Sequence, residues 1–246
     1  MSCLIFGRNP VIEAIKNGRE IDKILMQKGG EGSAKKIEAM ARDRRILIQY
    51  ADKATLDRVL RESCGKNHQG VVAYVSSYKY YDIDDIFKIA VNKGEEPFFI
   101  ISDGIEDPHN LGAIIRTAEG AGAHGVIIPK RRAAGVTETV AKSAAGALEY
   151  FPVARVGNLA QTVDVLKERG VWIAACHMEG APYYMADFSI PTALIIGSEG
   201  RGVSSLLLRK SDFTFSIPME GKISSLNASN AAAIIMYEIR RQRDCK

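Results

Sequence analysis

The chain of 246 residues is 46% hydrophobic and 25% charged, the balance of a soluble globular protein with enough length for a sizeable core in one or two domains. Its formal charge of +4 is concentrated at one end: residues 1–76 carry 14 Lys+Arg against 9 Asp+Glu, a surplus of +5, and the remainder carries 19 against 20. No apolar run approaches the roughly 20 residues that span a bilayer, and the opening MSCLIFGRNPVIEAI is not read as a signal peptide, so no membrane partner is expected.

In chain order, residues 21–27 read as a strand, 33–44 as an amphipathic helix, 46–50 as a strand, 53–62 as a helix and 70–75 as a closing strand. This α/β unit over residues 1–76 holds the basic surplus, which suits a phosphate-backbone partner. Residues 77–95 read as a linker, with a short helix at 82–92 and a break at KGEEP. From residue 96 to 246 strands and helices alternate. Strands are expected at 98–102, 125–129, 172–176, 192–196 and 212–217. Helices are expected at 110–121, 136–145, 159–169, 204–210 and 229–242. Continuous apolar strands between helices predict a mostly parallel sheet covered on both faces.

The cysteines Cys3, Cys64, Cys176 and Cys245 show no CxxC or metal-like spacing, as expected of reduced thiols in a cytoplasmic protein without a metal site. No GxGxxG follows the first strand of the C-terminal region and no P-loop occurs, so ligand handling falls to other loops at strand C-termini. Three loops qualify. In DGIEDPHNLGAIIR (103–116), Asn110 is expected to cap a helix and Arg116 to reach back over its N-terminus, where anions are favoured. The same residues also read as a simple cap plus a surface arginine. IIGSEGRG (195–202) offers glycine backbone, the carboxylate of Glu199, and Arg201, which is either a phosphate contact or solvated. IPMEGKISSLNASN (217–230) gathers Ser224, Ser225, Asn227, Ser229 and Asn230 ahead of the last helix, and reads equally as an elaborate helix N-terminus. His109, His177 and Cys176 are read as bystanders. Together the loops hold no Cys–His pair, no Ser–His–Asp set and no metal cluster. They suit positioning of a phosphate-bearing substrate and a polar cofactor rather than covalent hydrolysis.

NLGAIIRTA (110–118), GSEGRG (197–202) and IPM-x-G-x-x-SSLNAS (217–229) resemble, in order, the three motifs of the SpoU (TrmH) RNA 2′-O-ribose methyltransferases of the SPOUT superfamily. FGRNPVIEAI (6–15) is similar to the start of the family's N-terminal substrate-binding domain. The layout is closest to the family's large-subunit rRNA guanosine methyltransferases. The resemblance implies a C-terminal α/β methyltransferase domain with a trefoil knot and a mostly parallel sheet, plus a small N-terminal RNA-binding domain. It implies S-adenosylmethionine as methyl donor, bound by the loops 194–202 and 217–227 through Gly197, Ile217, Leu226, Ile196 and Met219. It implies catalytic roles for Arg116, Asn110, Glu199, Ser225 and Asn227, no metal, and 23S rRNA rather than DNA as the partner of a homodimer joined through the last helix. Basic terminal extensions, frequent in relatives that act on tRNA, are replaced here by a globular N-terminal domain.

Overall fold

A computed structural model describes residues 3–63, 67–76, 78–222 and 225–245. Cys64 and Ser224 lie outside the described residues. The chain divides into two compact units, Met1–Lys79 and Tyr80–Lys246.

The first unit runs β1 (Cys3–Phe6), α1 (Arg8–Lys16), β2 (Ile21–Gln27), α2 (Ser33–Asp43), β3 (Leu47–Ala51), α3 (Lys53–Glu62) and β4 (Val71–Val75). Its four-stranded sheet has the order β1-β4-β2-β3 and is mixed: β4 is antiparallel to both β1 and β2, and β2 is parallel to β3. One face packs Ile24, Met26, Val71 and Ala73 against Val11, Ile15 and Ile37 of α1 and α2. The other packs Leu25 and Val72 against Leu56 of α3. The alternation of Ile24 and Met26 with Leu25 is the period-2 signature of a strand buried on both sides. Strand β1 and helix α1 escape the sequence reading: the strand has only four residues, and the helix only nine, too few for a pronounced period.

The second unit runs α4 (Ile83–Lys93), β5 (Phe98–Asp103), α5 (Pro108–Gly120), β6 (Gly125–Pro129), α6 (Glu138–Ser143), β7 (Val153–Val156), α7 (Leu159–Glu168), β8 (Trp172–Pro182), β9 (Thr192–Gly197), α8 (Ser205–Lys210), β10 (Phe213–Ser216) and α9 (Ala228–Asp244). The six-stranded sheet has the order β10-β8-β9-β5-β6-β7, and every pairing in it is parallel. Phe99 and Ile101 join one core with Ile86, Val163, Leu166 and Leu207 of α4, α7 and α8. Phe98 and Ile100 are equally buried, on the opposite pleat. Each large side chain so buried contributes roughly 1.5–3 kcal/mol.

The connectivity positions the site. From β5 the chain proceeds to β6 and β7 on one side, whereas from β9 it leaves to β10 on the other. The neighbours β5 and β9 therefore flank a switch point, where the loops after their C-terminal ends diverge and leave a crevice. The register places Asp103 opposite Gly197 there. Strand β7 was absent from the sequence reading, and β8 is longer than expected. Between Ala175 and Ala181, β8 slips out of register with β10. Gly180 passes so close to β10 that a Cβ there would lie 2.5 Å from Phe215 backbone.

Candidate active site

Three loops meet at the switch point. The first follows β5. Asp107 caps α5, its carboxylate accepting the His109 N–H at 2.9 Å, and Pro108 occupies the first turn. The expected cap at Asn110 is therefore corrected. Proline has no N–H to satisfy and its fixed φ suits the first helical turn, so the helix starts before Asn110 rather than at it. Asn110 lies one turn inside, free to use its amide elsewhere. Gly112 sits against α6, where a Cβ would come within 2.4 Å of the Ser143 side chain.

The second loop follows β9. Gly202 donates its N–H to Ser198 O at 2.8 Å, folding 198–202 back over Gly197. A Cβ on Gly197 would stand 2.1 Å from Gly202 backbone. This glycine is thus needed for the loop to approach its own backbone. Ser204 N donates to Asp103 Oδ2 at 2.7 Å, tying the loop to the end of β5.

The third loop ends at Asn227, the N-cap of α9. Its Oδ1 accepts from Ser229 N and Ser229 Oγ at 2.9 and 2.6 Å and from Asn230 N at 3.3 Å. Its Nδ2 points the other way, donating to Asn110 Oδ1 at 2.9 Å and to Glu199 Oε1. Asn110 Nδ2 also donates to Glu199 Oε1 at 2.9 Å, and the Ala228 N–H approaches the same oxygen at 3.5 Å. One side chain is both helix cap and junction of the three loops, so the helix N-terminus expected in 217–230 is present and its cap also reaches the other two loops.

Two cavities flank this triangle and share the loop 198–202. One, of about 500 Å³, is lined by Ile196, Gly197, Ile217, Met219, Ser225 and Leu226, together with Cys176, His177, Met178 and Glu179 from the out-of-register stretch of β8. Burial pushes the Cys176 thiol up to about 11, so it stays protonated at neutral pH. The other cavity, of about 640 Å³, is lined by Asp103–Asp107, Asn110, Arg131, Arg132, Asn158 and Arg201 among others. Glu199 borders both.

The structure therefore brings together Asn110, Glu199 and Asn227, and sets Gly197, Ile196, Ile217, Met219, Leu226 and Ser225 around one cavity. Arg116 stands apart. It is exposed, lines neither cavity and makes no hydrogen bond or ion pair among the described residues. Six residues advance a helix by about 240° beyond a full turn, which turns Arg116 away from Asn110. It lies instead on the ridge leading to Gly120, where a Cβ would be 3.4 Å from the Tyr237 hydroxyl of α9. Sequence reasoning missed His177, Cys176, Arg131, Arg132 and Asn158. The KRR run at 130–132 directly after a strand was the available signal for the two arginines. No helix is long and apolar enough to cross a membrane, and no metal-binding group of His, Cys, Asp or Glu occurs, both among the described residues.

Residues 97–237 match the model of the SpoU rRNA Methylase family, and residues 4–81 match that of the RNA 2′-O ribose methyltransferase substrate-binding domain. The chain is 46% identical over 242 residues to the TrmH family protein YacO of Bacillus subtilis, named for tRNA/rRNA methylation, covering 98% of this chain and 96% of the relative. It is similar to the SpoU methyltransferase AviRb of Streptomyces viridochromogenes in complex with S-adenosylmethionine (TM-score 0.62, 30% identity, 99% and 91% of the two chains). It is also similar to a Sinorhizobium meliloti rRNA methyltransferase bound to the same compound (TM-score 0.60, 26% identity, 97% and 86%). With both domains matched in order over nearly the whole length, the chain belongs to the SpoU (TrmH) family of RNA methyltransferases.

Proposed function

We propose that this protein transfers a methyl group from S-adenosylmethionine to the 2′-hydroxyl of an RNA ribose, with a guanosine of 23S rRNA as the target. The observation that carries the reading is the Asn110–Glu199–Asn227 network, standing where a cavity of cofactor size meets a larger polar one. The smaller cavity fits the methyl donor. Its volume of about 500 Å³ lies in the range of small-molecule sites, and Ile196, Ile217, Leu226 and Met219 give apolar walls for a purine. Two relatives of similar length carry S-adenosylmethionine. The bound compound supplies an electrophilic methyl group and no metal is required.

The protein's residues then have to orient a ribose and ease loss of its proton. Glu199 Oε1 accepts from both asparagine amides and fixes them relative to one another. Asn110 positions the ribose, and Ser225 and Asn227 fix the cofactor side. A guanidinium offers donors and no acceptor, so Arg116 is not read as a free base. Turned from both cavities of its own subunit, it clamps the target phosphate and polarises the hydroxyl at the partner subunit's site, and the proton leaves to phosphate or water. In this reading the protein is a cytoplasmic homodimer joined through α9, whose Ile234 and Tyr237 are exposed. Arg116, on the ridge that ends beside Tyr237, lies at the edge of that interface. The trefoil threading of the loops 194–202 and 217–227 belongs to the same reading.

The N-terminal unit and the rRNA enzyme of Sinorhizobium meliloti, which matches over both domains, favour rRNA. Mapping 2′-O-methyls in rRNA and tRNA from a deletion strain tests it. Loss at a guanosine of the peptidyl-transferase loop supports the proposal, and loss in tRNA alone rejects rRNA as the substrate.

A further inference from the structure

The larger cavity has a feature that lies mainly outside the family motifs, in the loop after β6. The loop after β6 is pinned on both sides: Lys130 N donates to Val156 O at 2.8 Å, and Ala134 N donates to Ile105 O at 2.8 Å. Val136 N is held in addition by the Tyr80 hydroxyl at 2.8 Å. Between the pins, Arg131 and Arg132 are exposed to the cavity, and Arg201 lines it from the loop after β9. Arg132 adopts φ +56, a conformation that costs a residue with a Cβ and persists only where the surroundings impose it.

None of the three guanidiniums makes a hydrogen bond or ion pair among the described residues. This is so although carboxylates line the same cavity. Asp103 accepts from Ser204 N, Asp107 from His109 N, and Glu199 from Asn110 and Asn227. Glu106 remains without such a partner there. The cavity is thus not a uniformly basic patch. It presents planar, five-donor groups on a hydrogen-bonded backbone, beside acids of which Asp103, Asp107 and Glu199 already accept from N–H donors, which suits discrete phosphates rather than bulk polyanion attraction.

We propose that Arg131 and Arg132, with Arg201 from the opposite loop, grip the phosphodiester backbone of the RNA strand beside the target ribose. The larger cavity is then the nucleotide subsite, and the smaller one holds the methyl donor. The inference rests on the reading of the protein as an RNA methyltransferase. Its acceptor chemistry is bidentate guanidinium–phosphate pairing.

The test compares wild type with the double variants Arg131→Ala/Arg132→Ala and Arg131→Lys/Arg132→Lys. The RNA is total RNA from cells lacking the gene, and the readouts are transfer of a tritiated methyl group, filter binding of that RNA, and S-adenosylmethionine affinity by calorimetry. The alanine pair should raise the KM for RNA at least tenfold, leave kcat within about twofold and leave cofactor affinity unchanged. The slope of log affinity against log salt should fall by about one for each lost contact. The lysine pair should recover part of the affinity, since charge remains but the bidentate fork is lost. An unchanged KM and salt slope overturns the proposal, as does a parallel loss of cofactor affinity, which would assign the arginines to the donor site. Failure of the wild type to methylate any RNA instead sinks the enzymatic reading, and the filter-binding comparison still decides whether the two arginines hold RNA.

Discussion

Asn110 and Glu199 are 89 residues apart in the chain, yet the Nδ2 of one lies 2.9 Å from the Oε1 of the other. Asn227, 28 residues further on, donates to that same oxygen. A single carboxylate oxygen thus gathers the three loops of the switch point. An ionised carboxylate is the group for this task, because it only accepts and can take several donors at once.

Asn227 separates its two duties by atom, and so can a mutant pair. Asn227→Ser retains an N-cap acceptor for α9 but removes the donor to Asn110 and Glu199. Its thermal midpoint should stay within about 2–4 °C of wild type, while methylation falls at least tenfold. Asn227→Ala should lose a further 0.5–2 kcal/mol or so of stability with the cap. Full activity in Asn227→Ser would show that the network has no part in the reaction.

Arg116→Ala should abolish methylation and leave S-adenosylmethionine affinity within a few-fold, because the side chain lines neither cavity. Calorimetry checks the second half. Lost cofactor binding in that variant would remove Arg116 from the RNA side. Size-exclusion chromatography with light scattering on the same sample tests the dimer through α9.

Gly197→Ala places a methyl group 2.1 Å from Gly202 backbone, an overlap that neither strand β9 nor the folded-back loop can absorb without moving. Overpacking of this kind costs about 1–3 kcal/mol. The thermal midpoint should fall by roughly 2–12 °C. Cofactor affinity should fall at least tenfold, since the displaced loop lines that cavity. A tight-binding Gly197→Ala protein would contradict the placement of the donor.

His124 gives a pH dependence remote from the site. It is buried, its Nδ1 accepts Phe98 N–H at 3.0 Å, and its Nε2 therefore carries the hydrogen toward Glu95 at 3.0 Å. Burial lowers its pKa from the ordinary 6.5, against an opposing pull from Glu95. The unfolded chain then takes up a proton that the folded chain does not. Stability is full above about pH 6.5 and declines as pH falls through that value toward the lower folded one. Urea midpoints between pH 8 and 5 should show this slope in wild type and a reduced slope in His124→Gln. Equal slopes would discard the assignment.

Much of the architecture was legible in residue pattern. Strand β5 reads as FFIIS because both faces are covered, and the alternation of strands and helices implied the parallel sheet. What failed to show was short or non-periodic. Strands β1 and β7 have four residues each, and Asp107 displaced Asn110 as cap because the role of Pro108 in the first turn outweighed the asparagine signal. Cys176 and His177 looked like the rim of a strand, since no local pattern announces a register slip against β10.

The sequence by itself determined the membership of this chain in its family and the residue types that its three motif loops bring, because those are local and spaced within single segments. Only the tertiary structure decided that Asn110, Glu199 and Asn227 form one hydrogen-bonded unit, that Arg116 faces away from it, and that, among the described residues, cavities adjoin it on both sides of the loop 198–202. Those facts depend on strand order and on the rotation of side chains about helix α5. They arise when loops far apart in the chain are carried to the same end of a sheet, and no single segment encodes that meeting.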